Sequence, residues 1–146
     1  MQSFAAQIDN WVRTTKARQE AVFKRASERM FEDVLARTPR DTGFLANTLE
    51  ASLDGPQTIR PDARPPADAK KGSYPVSADY ALVISNATIG ATIFGSFGAA
   101  YARYVEYGTK FQNPAAMVRL SAQVWPLHVA DAIREAKAAV ASGPSR

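Results

Sequence analysis

Two carboxylates, one histidine and a run of tyrosines are the residues of this chain with the most chemical potential. Asp41 lies in Arg40-Asp41-Thr42-Gly43 and Glu106 in Val105-Glu106-Tyr107-Gly108. Paired carboxylates work as acid and base in glycoside cleavage, but only at a set separation, which spacing along the chain does not give. No serine stands in a nucleophile elbow. His128 is the single histidine and there is no cysteine, so thiolate chemistry is excluded and only carboxylate-led metal sites remain. No spaced Asp/Glu cluster suggests one. His128, close to Pro126, is expected to be an ordinary packed or surface imidazole. Gly95-Ser96-Phe97-Gly98 is too short for a phosphate-binding loop and lacks its lysine. Tyr101, Tyr104 and Tyr107, with Arg103, could stack bases. However, Tyr101, Tyr104 and Val105 share one helical face and are expected to pack on a sheet, while Glu106 repels phosphate. Trp11 and Trp125 suit core anchors, or anchors between subunits. These residues predict no enzyme, no cofactor and no metal site.

The elements that must position them belong to a chain of 146 residues, a length that suits one domain over 1–146. The net charge is +4, but the charges are mixed: eight Lys/Arg with five Asp/Glu up to residue 40, ten with nine beyond it. That pattern reads as a mildly basic, solvated surface. Met1-Gln2-Ser3-Phe4-Ala5 is not expected to be a secretory signal, and no run approaches the ~18 apolar residues of a membrane span.

Phe4, Ile8, Trp11, Val22, Ala26, Met30 and Val34 form one helical stripe, which predicts a long helix over 3–37. Ser3 is placed to cap it, and Pro39 disfavours helical geometry at Thr38. Glu20 and Lys24 support the helix one turn apart, whereas Glu28 and Glu32 oppose it. Asp41-Thr42-Gly43 predicts a turn, and Phe44 to Leu53 a helical turn passing into a strand. Residues 54–75 hold five of the nine prolines and little that is apolar, predicting an extended arm. Tyr80–Ser85 and Thr88–Phe97 read as a β-hairpin, the second by its alternation of Ile89, Ala91, Ile93 and Phe97. A last helix carries Met117, Leu120, Val124 and Leu127 on one side. Val129, Ile133, Ala136 and Val140 lie roughly 170° away at ~100° per residue. Pro126 at the changeover demands a kink or break, and the second stripe is a candidate subunit interface together with Trp11. Residues 142–146 are expected to form a flexible tail. The fold class is α+β: long N- and C-terminal helices on a small, mainly antiparallel sheet, with a Pro-rich extended loop.

Three motifs occur in order: Thr38-Pro39-Arg40-Asp41-Thr42-Gly43-Phe44-Leu45, Tyr101-Ala102-Arg103-Tyr104-Val105-Glu106-Tyr107-Gly108-Thr109, and the proline-led Pro114-Ala115-Ala116-Met117-Val118-Arg119-Leu120. This series resembles the neck or tail-completion protein family of long-tailed bacteriophages, the gene-10-like tail-component family. By that resemblance Asp41, Thr42, Gly43 and Leu45 match the first signature. Tyr101, Ala102, Val105, Glu106, Tyr107, Gly108 and Thr109 match the second. Met117, Val118 and Arg119 stand at the family's "F-L-R" positions, without its flanking prolines, and Phe44 replaces a basic residue. The resemblance implies a non-catalytic virion protein at the head–tail junction, made in the bacterial host cytoplasm. Its subunits would form a ring, commonly of six copies, beside head-closure and tail-terminator or tail-tube proteins. DNA would pass through with at most weak contact, and no membrane is implied. A tail-terminator or head-closure ring is the neighbouring alternative. A small basic nucleic-acid-binding protein is the alternative of another class, and a hydrolase using Asp41 and Glu106 is a third.

Overall fold

The computed structural model describes residues 2–142. The chain runs α1 (Phe4–Arg37), α2 (Phe44–Asn47), β1 (Leu49–Ser52), α3 (Asp79–Ser85), β2 (Phe94–Phe97), α4 (Ala102–Tyr107), α5 (Met117–Gln123) and α6 (Trp125–Ala141). Two long helices and a two-stranded antiparallel sheet make it an α+β fold. No helix among the described residues is long and apolar enough to cross a membrane.

Both ends of α1 follow from local chemistry. The Ser3 hydroxyl accepts from the Ala6 N–H at 3.2 Å, and Thr38, held extended by Pro39, stops the helix. The Glu28–Glu32 opposition is relieved because Arg25 reaches both carboxylates, at 3.3 and 3.4 Å. Phe31, Val34 and Leu35 of α1 meet Leu45, Leu49 and Ile84 in the core. Each such side chain stabilises the fold by roughly 1.5–3 kcal/mol on burial.

Three expectations are corrected. Tyr80–Ser85 is helical, not a strand: Tyr80 stacks on Phe31 at 5.1 Å between ring centres, and Ile84, one turn on, is fully buried. Strand β2 therefore pairs not with its chain neighbour but with β1, Leu49 opposite Phe97 and Ser52 opposite Phe94. Because β1 is only four residues long, residues 88–93 find no partner strand, and they turn instead (Ala91 N–H to Thr88 C=O, 3.0 Å). Segment 54–75 is irregular, as expected, but it lies back against the domain and does not project as an arm. Gln57 donates from its side chain to the Thr48 and Ser96 carbonyls (2.8 and 2.7 Å), and the Arg60 N–H reaches Gly98 C=O at 3.1 Å. The loop thus crosses the end of the sheet where β1 begins and β2 ends.

The break in the last helix is present. Helix α5 ends at Gln123, Val124 is non-helical, and Pro126 stands in the first turn of α6, where a missing N–H costs nothing. Of the proposed tail, Ser142 is described, and 143–146 lie outside the described residues.

Candidate functional site

The second and third motifs form one structural unit. Helix α4 ends at Gly108, whose φ of +77° a side chain would not tolerate. An added Cβ would also lie 2.7 Å from Pro114 N. The chain then turns back through Pro114, and the Ala115 and Ala116 N–H groups reach the Val105 and Glu106 carbonyls at 2.9 and 3.1 Å. Ala116 takes the left-handed conformation (φ +48°) that aims the start of α5 at Glu106. The Glu106 carboxylate, only 7% exposed, accepts from the Val118 N–H (2.9 Å), the Arg119 N–H (3.0 Å) and Arg119 Nε (3.1 Å). Arg119 also donates from Nη2 to the Glu106 carbonyl at 2.8 Å and lies over the Tyr107 ring at 4.5 Å. A negative charge placed at exposed helix N–H groups is favourable. The physical reason for the Val-Glu-aromatic-Gly spacing is therefore a latch between α4 and α5.

The first motif is a second clasp. Gly43 adopts φ +87°, and a Cβ there would collide with the Tyr74 carbonyl oxygen. The Thr42 hydroxyl accepts from the Phe44 N–H at 3.2 Å, while the Thr42 and Asp41 carbonyls take the Tyr74 and Gly72 N–H groups, each at 2.9 Å. Phe44 meets Tyr74 edge-on at 5.1 Å. Leu45, Ala102 and Val105 are buried together in the core, so the first two signatures share a wall. A cleft of about 390 Å³ runs along it, lined by Asp41, Thr42, Pro65, Tyr101 and their neighbours. Burial raises the Tyr101 pKa, with a backbone contact from Leu45 opposing and the Asp41 charge adding to the rise. Glu106 does not line this cleft. Its oxygens face donors of the latch, so the two carboxylates are not brought to one acid–base site. Thr109 is exposed and bridges to Gln112.

His128 is buried at 8% exposure, within 3.4 Å of Ser121 Oγ and 3.8 Å of Asp33 Oδ2. Both approach the same ring nitrogen, Nε2, whereas a nucleophile relay sets hydroxyl and carboxylate on opposite nitrogens. Ser121 is wholly enclosed. The imidazole is a packed residue at the helix break, as its sequence context implied. Partial burial opposes ionisation of Asp33, but bonds from Arg37 and Ser121 and the nearby Arg37 and His128 charges win, leaving its pKa below the usual value. Among the described residues no group of three His, Asp or Glu could hold a metal ion.

The remaining candidates lie on α1 and α6. Helix α6 meets α1 through a largely ionic face: Glu135 with Arg25 (2.8 Å) and Arg29, Asp131 with Arg29 (3.6 Å), and His128 with Asp33. This face is centred roughly 140° from the Val129–Val140 stripe. Val129 and Ala136 are half-buried, and Ile133 (40%) and Val140 (68%) are exposed. Beside them an apolar groove of about 380 Å³ is lined by Val22, Phe23, Ala26, Trp125, Val129 and Ile133, with Arg18 and Gln19. Trp11 is 66% exposed, so it does not anchor the core of this chain. Tyr104 (58%) and Tyr107 (60%) are exposed too, which corrects the expectation that Tyr104 packs on the sheet. A six-residue helix turns Val105 inward and Tyr104 outward.

No protein-family model, curated protein or solved structure matches this chain.

Several working residues were not foreseen. Asp33 and Ser121 meet His128 only because α6 folds back antiparallel to α1. Gln57 and Tyr74 act through backbone groups distant in sequence. The Arg25–Glu135 pairing joins residues 110 positions apart, and no local pattern announces it.

Proposed function

We propose that this chain is a structural subunit of an oligomeric ring at the head–tail neck of a long-tailed phage, where it completes or joins the tail. The observation that carries this reading is the surface left uncovered. A compact monomer of 15.8 kDa exposes about 7,300 Å², whereas this chain exposes 10,005 Å². The excess of roughly 2,700 Å² is larger than the ~1,200–2,000 Å² that a standard interface removes from two partners together. The exposed surface takes in apolar residues of both long helices, Phe4, Ile8 and Trp11 on α1 and Ile133 and Val140 on α6. The motif residues support the reading in a different way. Asp41, Gly43, Glu106, Gly108 and Arg119 are engaged in holding turns and helix starts, as befits a rigid building block. Electron cryomicroscopy of the source particle tests the proposal. Density for a symmetric ring of this chain at the head–tail junction is expected, and its absence from that position sinks the idea.

The nucleic-acid reading gains one observation, the exposure of Tyr104, Tyr107 and Phe111 near Arg103 and Lys110. Against it, Arg119 already covers the Tyr107 ring and Lys110 approaches the Phe111 ring at 4.9 Å. Tight binding of single-stranded DNA that weakens steeply with salt would favour this second reading over the first.

A further inference from the structure

Residues 2–19 are exposed, except Val12 and Thr15, which are half-buried, and Arg18 and Gln19 at the end of the stretch line the α1–α6 groove. Yet this stretch is the first half of a continuous helix. Helices of fewer than ~12–15 residues are marginal in water without tertiary contacts. At ~100° per residue, Phe4, Ile8, Trp11, Thr15, Val22 and Ala26 fall within about 60° of one another. The positions 4, 8, 11, 15, 18 and 22 alternate in steps of four and three, the spacing of a helix that packs lengthwise on another helix. Among the described residues the one ion pair of this stretch, Asp9 with Arg13 at 2.7 Å, sits roughly 150° round the helix from the stripe, whose one charged position is Arg18.

The same stripe changes role at Val22. From there it forms one wall of the apolar groove, opposite Trp125, Val129 and Ile133 of α6. Projecting stripe and open groove therefore lie end to end on one helix, and a molecule cannot fold its own straight α1 into its own groove. A second copy meets no such obstacle.

We propose that the N-terminal half of α1 from one copy lies in the α1–α6 groove of the next, Phe4, Ile8 and Trp11 packing against Val22, Phe23, Trp125, Val129 and Ile133. The occupant is a second copy because the stripe is a direct continuation of the helix face that already takes α6, and because the excess surface is of interface size. Two different patches meet, so each copy offers a free stripe and a free groove, and the contact propagates directionally to a ring or filament. This directional form rests on the ring reading above. The pairing of surfaces does not.

The absence of cysteine makes the test clean. Trp11→Cys and Ile133→Cys single variants of the full chain are purified, mixed and mildly oxidised. The mixture is expected to give a cross-linked dimer that neither variant gives alone, and the double variant a ladder of dimers, trimers and higher species. No cross-link in the mixture, or cross-linking of Trp11→Cys with itself alone, overturns the pairing. A double variant that stops at dimers overturns the directional form. As an independent check, Trp11→Ala is expected to weaken self-association at least tenfold in sedimentation while leaving the circular dichroism spectrum unchanged. Imaging of the particle separates the two readings. A neck ring without the cross-link removes only the groove, whereas a cross-linked ladder from a particle lacking the ring removes only the neck assignment.

Discussion

Along α1, the residues before about position 20 and those after it do not share one environment: Val22 and Ala26 continue the Phe4–Trp11 stripe, whereas Phe31 and Leu35 lie roughly 170° and 150° round the helix from it. After it, apolar and charged side chains alike are matched. Phe31 and Val34 enter the core, Arg25 and Arg29 bind Glu135, and the Glu106 latch closes the far side of the domain. Before it, Phe4, Ile8 and Trp11 are exposed at 78, 47 and 66%. For the stripe itself the difference lies in what the rest of the chain brings alongside. Helix α6 has 17 residues, about 25 Å, against 34 residues and about 51 Å for α1. Half of α1 is therefore left beyond its reach. An amphipathic stripe tells where an apolar partner is needed, not which molecule supplies it.

Substitutions in the closed region should unfold the molecule, and those in the open region should leave the monomer intact. The largest expected effect is that of Glu106→Ala. It leaves the Val118 and Arg119 N–H groups and Arg119 Nε without their acceptor, so about 2–4 kcal/mol of unfolding free energy should be lost. Urea denaturation measures this, and a loss under about 1 kcal/mol would mean that the latch is decorative. Gly43→Ala comes next. It combines left-handed strain with a collision at the Tyr74 carbonyl, for an expected loss of about 2–3 kcal/mol by the same measurement.

A smaller effect is expected at Asp33, and its sign follows from the lowered folded pKa. The unfolded state holds its proton more tightly, so the contribution is complete above the ordinary aspartate pKa of about 3.9 and is lost as pH falls through the lower folded value. The stability gap between wild type and Asp33→Asn should therefore be under about 1 kcal/mol at pH 7 and narrow as the pH falls below the ordinary aspartate range. A gap that widens on acidification would contradict this account of the α1–α6 contact. The smallest effect belongs to the open region. Trp11→Ala should change monomer stability by no more than about 0.5 kcal/mol. A thermal shift of many degrees at concentrations where the chain is monomeric would show that Trp11 packs within its own subunit, and would erase the contrast between the two halves.

Sequence reading succeeded where a single turn of chain decides the outcome. The Ser3 cap, the stop before Pro39, the turn at Gly43 and the break ahead of Pro126 each depend on one residue and its near neighbours. It failed at Tyr80–Ser85, where a short apolar segment satisfies either period. The packing of Tyr80 on Phe31, some fifty positions away, selects the helix. The same holds for the 54–75 loop, whose proline content announced the absence of regular structure but not where its polar groups would find partners.

The candidate residues divide along the same line. Asp41, Thr42, Gly43, Glu106, Gly108 and Arg119 were singled out as motif positions, and tertiary structure gave them their roles as clasps and latch. Local sequence determined the elements, their ends and the apolar face each would present, because dihedral preference, capping and helical period act within a few residues. Only the tertiary structure decided which faces were covered. That depends on relative helix lengths, on ion pairs joining residues about a hundred positions apart, and on a β-partner drawn from the other side of a long loop.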